Sequence, residues 1–203
     1  MSEAEEHKKK MKALQKEQRQ KVREKLIDRG VVIINTGDGK GKSSAAFGTA
    51  FRAVGYGYKV LIVQFIKGQW KTGEQESFKN FDEIEHIISG EGFTWDTQDK
   101  EKDIAAARKG WDAVLKRIEK VRSGELDLHL IVLDELNIAM SLGYIPVDEV
   151  VEVIKNKPEM LNIIITGRNA PEEIMAAADT VSEMVPLKHA FDGGIQAQKG
   201  IEF

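Results

Sequence analysis

Not one of the chain's 203 residues is cysteine. That excludes disulfides, thiolate nucleophiles and cysteine-ligated metals, and it is compatible with a reducing cytosol. No apolar run approaches the roughly 18 residues that a membrane span needs. The N-terminal stretch is highly charged and lacks the apolar segment of a signal peptide. A cytoplasmic protein without membrane contact is therefore expected. There is no internal repeat, no low-complexity segment, no Ser-His-Asp set and no zinc spacing. His86 and His189 have no evident ligand partners and read as structural or solvated. Net positive charge is missing as well: the chain carries −3 overall. Residues 1–29 hold ten Lys/Arg against six Asp/Glu, and the remainder twenty against twenty-seven. So acidic a body argues against a general nucleic-acid surface.

What is present fits one soluble α/β domain. Apolar residues make up 41% and charged residues 31%, enough for a real core. Residues 1–29 form a charged arm, and residues 30–203 the body. Met11, Leu14, Val22 and Leu26 recur at near-helical spacing, so residues 7–29 are predicted to form one helix. Its apolar stripe is thin. It reads as a solvated helix, as an arm that docks on a second subunit or, less readily because its acids interleave with its bases, as a basic arm that binds nucleic acid.

After Gly30 short apolar runs alternate with helical patterns. Strands are predicted near 31–35, 59–65, 84–88, 129–133, 161–166 and 180–185. Helices are predicted near 43–55, 99–122, 147–156 and 171–178. Runs such as Val60-Leu61-Ile62-Val63 suit strands buried on both faces. The expected architecture is a three-layer α/β sandwich around a mainly parallel six-stranded sheet, with ligands at the carboxyl ends of the strands.

The centre of the pattern is Thr36-Gly37-Asp38-Gly39-Lys40-Gly41-Lys42-Ser43-Ser44, between an apolar strand and a helix. That order is the one a phosphate-binding loop requires. Glycines let backbone N–H groups surround phosphate oxygens, and the helix N-terminus adds partial positive charge. Lys42 supplies a full charge, and Ser43 a hydroxyl for magnesium. The general pattern has glycine where Thr36 stands, and Lys40 is a second lysine. A triphosphate lying otherwise than in a common ATPase is therefore open. A glycine-rich turn without a ligand is the plain alternative.

Three further segments follow strands. Leu130 to Leu133 ends in Asp134-Glu135, where one carboxylate could hold magnesium directly or through water. Helix capping is the alternative reading. Arg168, after Ile165-Thr166-Gly167, could pair with phosphate oxygens or form a surface salt bridge. Gln64, Lys67 and Glu74 follow the second strand and could line the same cleft. Finally, Phe93 and Trp95 stand in a glycine-bracketed loop. They form either a wall for a large flat ligand or a cap on the core.

Taken in order, these motifs, with Val63 to Gly68, Leu133 to Asn137, Ala170-Pro171-Glu172-Glu173 and the tail Lys188 to Phe203, resemble the phosphate-loop ATP:corrinoid adenosyltransferases. The resemblance covers about residues 30–203. In that family T-G-[ND]-G-K-G-K-[ST] is the common loop, so Thr36 and Lys40 are expected members. The resemblance implies a RecA-like sheet and a homodimer whose N-terminal helix crosses to the neighbour's site. It implies ATP with magnesium, or manganese in its place, and a reduced corrinoid. The Co(I) centre would attack the ribose 5′ carbon and release triphosphate, with the nucleotide held in the reverse sense to an ordinary NTPase. It implies ATP contacts by Thr36 to Ser44 and Arg168. The metal would lie on Ser43 and Glu135, with Asp134 behind it or bound through water. Phe93 and Trp95 would face the corrin and help displace its lower axial base. A flavoprotein is a candidate electron donor. An ordinary phosphate-loop ATPase or kinase, and a regulator that binds without turnover, remain as other classes.

Overall fold

A computed structural model describes residues 3–66, 72–89 and 100–202. Six strands form one sheet: β1 (Val32–Thr36), β2 (Val60–Gln64), β3 (Ile84–Ile88), β4 (Leu130–Asp134), β5 (Asn162–Thr166) and β6 (Thr180–Glu183). Their order is β3-β2-β4-β5-β1-β6, and every pairing is parallel. The helices are α1 (Glu3–Arg23), α2 (Lys42–Val54), α3 (Gly73–Phe78), α4 (Lys100–Arg122), α5 (Leu136–Ser141), α6 (Val147–Lys155) and α7 (Glu172–Ala177). A short 3-10 turn, Phe191–Gly193, lies in the tail. Among the described residues no helix is long and apolar enough to cross a membrane.

Alternation along the strands divides the core into two layers. Leu61, Val63, Ile131, Leu133, Ile163 and Ile165 face α4, α5 and α6, where they meet Trp111, Leu136 and Val150. Val60, Ile62, Leu130, Val132 and Ile164 face α2, where they meet Ala46, Phe47 and Ala50. Because both faces are covered, β2 and β4 are buried along their whole length, which is why they read as unbroken apolar runs. The predicted three-layer architecture is therefore found, with the sheet parallel throughout.

One helical expectation is corrected. The arm's helix runs over Glu3–Arg23, not 7–29, and it buries none of its residues. It ends where Lys25 N–H turns back to the Val22 carbonyl at 3.1 Å. The chain is then captured by the body. Arg29 donates to both carboxylate oxygens of Asp179 and to the Gly30 carbonyl, and Gly30 N–H donates to Glu159 O at 2.8 Å. Asp179 also accepts from Val32 N–H at 2.8 Å, so this pair sets the start of β1 beside β6. The two short helices α3 and α5 were not expected. Each has six residues, too few to show a period.

A polar clamp closes the opposite layer. Glu149 on α6 accepts from Arg108 through a two-pronged pair at 2.8–3.0 Å, and from the buried Trp111 Nε1 at 2.7 Å. The hydrogen bonds from Arg108, and then that from Trp111, hold the Glu149 carboxyl below its ordinary value of 4.5 against the opposing effect of burial. A depressed carboxyl stabilises the fold at pH above 4.5, and that contribution is lost as pH falls through the lower folded value. Glu149→Ala, which orphans the Trp111 N–H, is expected to cost about 1–3 kcal/mol. Urea unfolding at pH 7 checks this. In the same assay the gap between wild type and Glu149→Gln should narrow as the pH drops below 4.5.

Candidate functional site

The carboxyl ends of β1, β2, β4 and β5 gather on one edge of the sheet, and the predicted loop begins there. Thr36 closes β1, and Lys42 opens α2. Asn35 ties the two elements together by donating to the Lys42 carbonyl at 3.3 Å. The loop lies against the segment after β6. Met184 N–H donates to Thr36 O at 2.8 Å, and Gly39 N–H donates to Met184 O at 2.6 Å. A Cβ on Gly37 or Gly39 would stand 2.5 and 2.7 Å from that same Met184 carbonyl oxygen, so the loop admits no side chain at either point. Thr36 has its own task. Its hydroxyl accepts from Ala170 N–H at 3.2 Å and so joins the loop to the turn after β5.

Three cations expected to meet phosphate are brought together here, and each is engaged within the chain. Lys42 is buried, and its Nζ donates to Gly39 O at 2.6 Å. Lys40 pairs with Glu202. Arg168 pairs with Asp38 of the loop at 3.4 Å, both side chains being well exposed. Burial holds the Lys42 ammonium below its ordinary value of 10.5. The charges of Glu135 and Asp38 raise it, and those of Arg168 and Lys40 lower it further. An anion bound beside Lys42 would reverse the effect of burial.

The two carboxylates at the end of β4 separate in role. Asp134 is fully buried and does not face the cleft. Its Oδ2 accepts from Gln64 Nε2 at 2.9 Å and its Oδ1 from the Thr166 hydroxyl at 2.8 Å. That hydroxyl in turn accepts from Glu135 N–H at 3.0 Å. Glu135 takes a left-handed backbone with φ of 63° and stands at the start of α5 without a side-chain cap bond. The capping alternative, with Asp134 as the cap and Glu135 in the first turn, therefore fails. Asp134 ends β4 with its oxygens on Gln64 and Thr166, and Glu135 itself holds the cap position. The left-handed turn directs the chain out of β4 at the site. Gln64 was expected to line the cleft. It is fully buried instead and works behind it, accepting from His86 and Gln75 while donating to Asp134. His86 is thus structural, and His189 serves a turn by accepting from Phe191 N–H at 3.2 Å.

A cleft of about 670 Å³ opens over the start of α2. Lys40, Lys42 and Ser43 line it on one side, and Glu74 and Glu135 stand with them. Gly200 to Glu202 of the tail complete it. No cluster of three metal-ligating carboxylates or histidines occurs among the described residues. Magnesium does not need one. It binds through one or two protein oxygens plus substrate phosphates, and Ser43 with Glu135 fits that donor set. Phe93, Trp95 and Lys67 lie outside the described residues.

Sequence reasoning missed the clasp on Asp134, the Met184 support and the placement of Glu202 on Lys40. It also missed Asn137, a buried side chain that donates to the Gly167 carbonyl at 2.9 Å and steadies the turn leading to Arg168. Local signals were present for some of these. Gln64, Thr166 and Asn137 are polar residues at the ends of apolar runs, where an unpaired amide or hydroxyl would be costly.

A parallel sheet with a glycine-rich loop, lysine and serine at a helix start, and a carboxylate at the end of β4, defines a phosphate-loop nucleotide-binding protein. Comparison with known families narrows the class. Residues 28–203 match the model of the family described as ATP:corrinoid adenosyltransferase BtuR/CobO/CobP. The chain is 46% identical over 185 residues to the corrinoid adenosyltransferase of Pseudomonas aeruginosa, covering 91% of this chain and 89% of that one. It is 45% identical over 176 residues to the corrinoid adenosyltransferase of Escherichia coli K12, covering 87% of each. It is 44% identical over 176 residues to corrinoid adenosyltransferase CobA of Salmonella typhimurium, again covering 87% of each. The chain belongs to the ATP:corrinoid adenosyltransferase family.

The clasp makes a stability prediction. Thr166→Val removes the hydroxyl on which both Asp134 and Glu135 N–H depend, and leaves both groups without it. A loss of about 1–3 kcal/mol is expected for orphaning buried polar groups. It is measurable by urea unfolding, and Thr166→Ser should restore most of it.

Proposed function

We propose that this chain transfers the 5′-deoxyadenosyl group of ATP to the Co(I) centre of a reduced corrinoid. The carrying observation is the convergence of Lys40, Lys42 and Arg168, from two segments distant in sequence, on one phosphate loop whose cleft also holds Ser43 and Glu135. The electron pair of Co(I) forms the Co–C5′ bond, the C5′–O5′ bond breaks, and its pair leaves on the triphosphate oxygen. Cobalt, as substrate, is the nucleophile, so the protein needs no activated side chain of its own. Its work is to hold two large ligands in line and to stabilise charge on the departing triphosphate.

In this reading Lys42, Lys40 and the loop N–H groups bind the triphosphate, with Thr36, Gly37, Asp38, Gly39, Gly41 and Ser44 shaping the loop. Arg168 exchanges Asp38 for a phosphate oxygen. Ser43 and Glu135 would hold magnesium, or manganese in its place, which would neutralise charge on the phosphates. Asp134 stays behind, fixing the strand end from which Glu135 projects. The nucleotide is gripped by its tail so that its sugar meets cobalt. Phe93 and Trp95 face the corrin and keep water from the lower axial position, which eases reduction of Co(II). A flavoprotein is the candidate source of that electron.

A homodimer in which α1 covers the neighbour's site also belongs to this reading. Its support is that α1 buries nothing within its own chain, although Met11 and Leu14 form an apolar stripe.

Lys42→Ala is expected to reduce adenosyl transfer by at least about 100-fold. The assay follows light-sensitive adenosylcobalamin formed from ATP, magnesium and pre-reduced cobalamin. Inorganic triphosphate is the phosphate product expected of wild type; ADP or a phosphorylated acceptor would instead mark an ordinary ATPase or kinase. Trp95→Ala is expected to spare ATP binding and transfer to pre-reduced cobalamin, while slowing the reaction that starts from Co(II). Equal activity of this variant from both starting states would remove the corrin role of Trp95.

A further inference from the structure

The tail does more than close the cleft. After supporting the phosphate loop through Met184, it runs through the 3-10 turn and returns to the same loop. There a tight turn holds it, with Ile201 N–H and Glu202 N–H both donating to Gln198 O, at 3.1 and 2.8 Å. Gly200 permits the turn with a φ of +82°. The turn delivers the Glu202 carboxylate onto Lys40. The pair is uneven, because the Glu202 side chain is 19% exposed and that of Lys40 is 56% exposed. The anion is the shielded member, seated in the cleft beside Lys42, Ser43 and Glu135.

A carboxylate so placed opposes any polyphosphate. It occupies one of the cations that the phosphates need, and it adds a like charge to the cleft. We propose that Glu202 sets the affinity of the site for polyphosphate by competing with it for Lys40, and acts more strongly against free triphosphate than against ATP. The difference follows from the reaction. Cleavage of C5′–O5′ turns an ester oxygen into a terminal one, so free triphosphate carries more negative charge than the triphosphate tail of ATP. A fixed anion at the loop therefore disfavours product more than substrate and speeds its departure. The proposal rests on the ATP reading given above and makes Glu202 a residue that tunes binding, not one that takes part in bond making.

The test is titration of inorganic triphosphate, and separately of ATP, into the full-length protein with magnesium and without corrinoid. Wild type is compared with Glu202→Gln and with Glu125→Gln, an exposed acid in the turn before β4. Glu202→Gln is expected to tighten triphosphate about tenfold, roughly 1.4 kcal/mol, and ATP by a smaller factor. Glu125→Gln should change neither. The gain should shrink in high salt, and it should be lost when Glu202→Gln is combined with Lys40→Ala. Triphosphate affinity that is unchanged or weaker in Glu202→Gln, with wild type still binding, overturns the proposal alone. Wild type that binds neither ATP nor triphosphate overturns it together with the nucleotide reading beneath it.

Discussion

The ends of three strands are locked by one buried carboxyl group. Asp134 lies fully within the protein, where an acidic side chain is tolerated only if its oxygens are satisfied. Gln64 satisfies one from β2, the register partner of Asp134, and Thr166 satisfies the other from β5. Losing either removes one of these two hydrogen bonds from a buried carboxylate. The clasp therefore fixes where β2, β4 and β5 stop relative to one another. From those stops the functional segments depart: Glu135 from β4, and Gly167-Arg168 from β5. The left-handed backbone of Glu135 is held by the same Thr166 hydroxyl. Geometry at the cleft is thus inherited from a group that never reaches it.

The phosphate loop is built on a different principle. Its cations are held ready by weak intrachain acceptors: a carbonyl for Lys42, Glu202 for Lys40 and Asp38 for Arg168. Such pairs restrict the side chains before a ligand arrives, so less conformational freedom is lost on binding. The Arg168–Asp38 pair is also readily exchanged, since exposed ion pairs contribute little and a polyphosphate offers several oxygens in its place. Lys42 is the exception in burial. Partial desolvation makes its positive charge costly, and that cost is relieved when an anion takes its place beside it.

Much of this was legible because it is local. The four inner strands β1, β2, β4 and β5 show as apolar runs since both their faces are covered, whereas the edge strands lie open, β3 in part and β6 throughout. The loop shows because its glycines, lysine and serine are consecutive. Glu74 and Glu135 were placed at the cleft for the same reason, each following a strand. What could not be read depends on partners far apart in sequence. Lys40 and Glu202 are 162 positions apart, and Arg29 and Asp179 are 150 apart. The second pair explains the misjudged end of α1: residues 24–29 hold no Gly or Pro to mark a helix end, yet Arg29 is bound to the body and the helix stops short. Gln64 was misplaced by a related limit. Its position at a strand end was clear, but which way it pointed depended on the register of β2 against β4.

These constraints bear on the kind of chemistry the site can favour. An enzyme whose substrate supplies the nucleophile need not poise an acid or base near neutral pH. Its advantage must come from geometry and from charge placed where charge develops. In the proposed reaction that place is the oxygen between C5′ and the triphosphate. Cations arranged along the whole tail serve it better than a single general acid, because the leaving group departs as one polyanion. The same arrangement creates the opposite difficulty after bond cleavage, when a more highly charged product sits in a site designed for anions. A nearby fixed carboxylate is the simplest electrostatic remedy: it weakens the grip in proportion to the ligand's charge, and therefore acts hardest on the species that must leave.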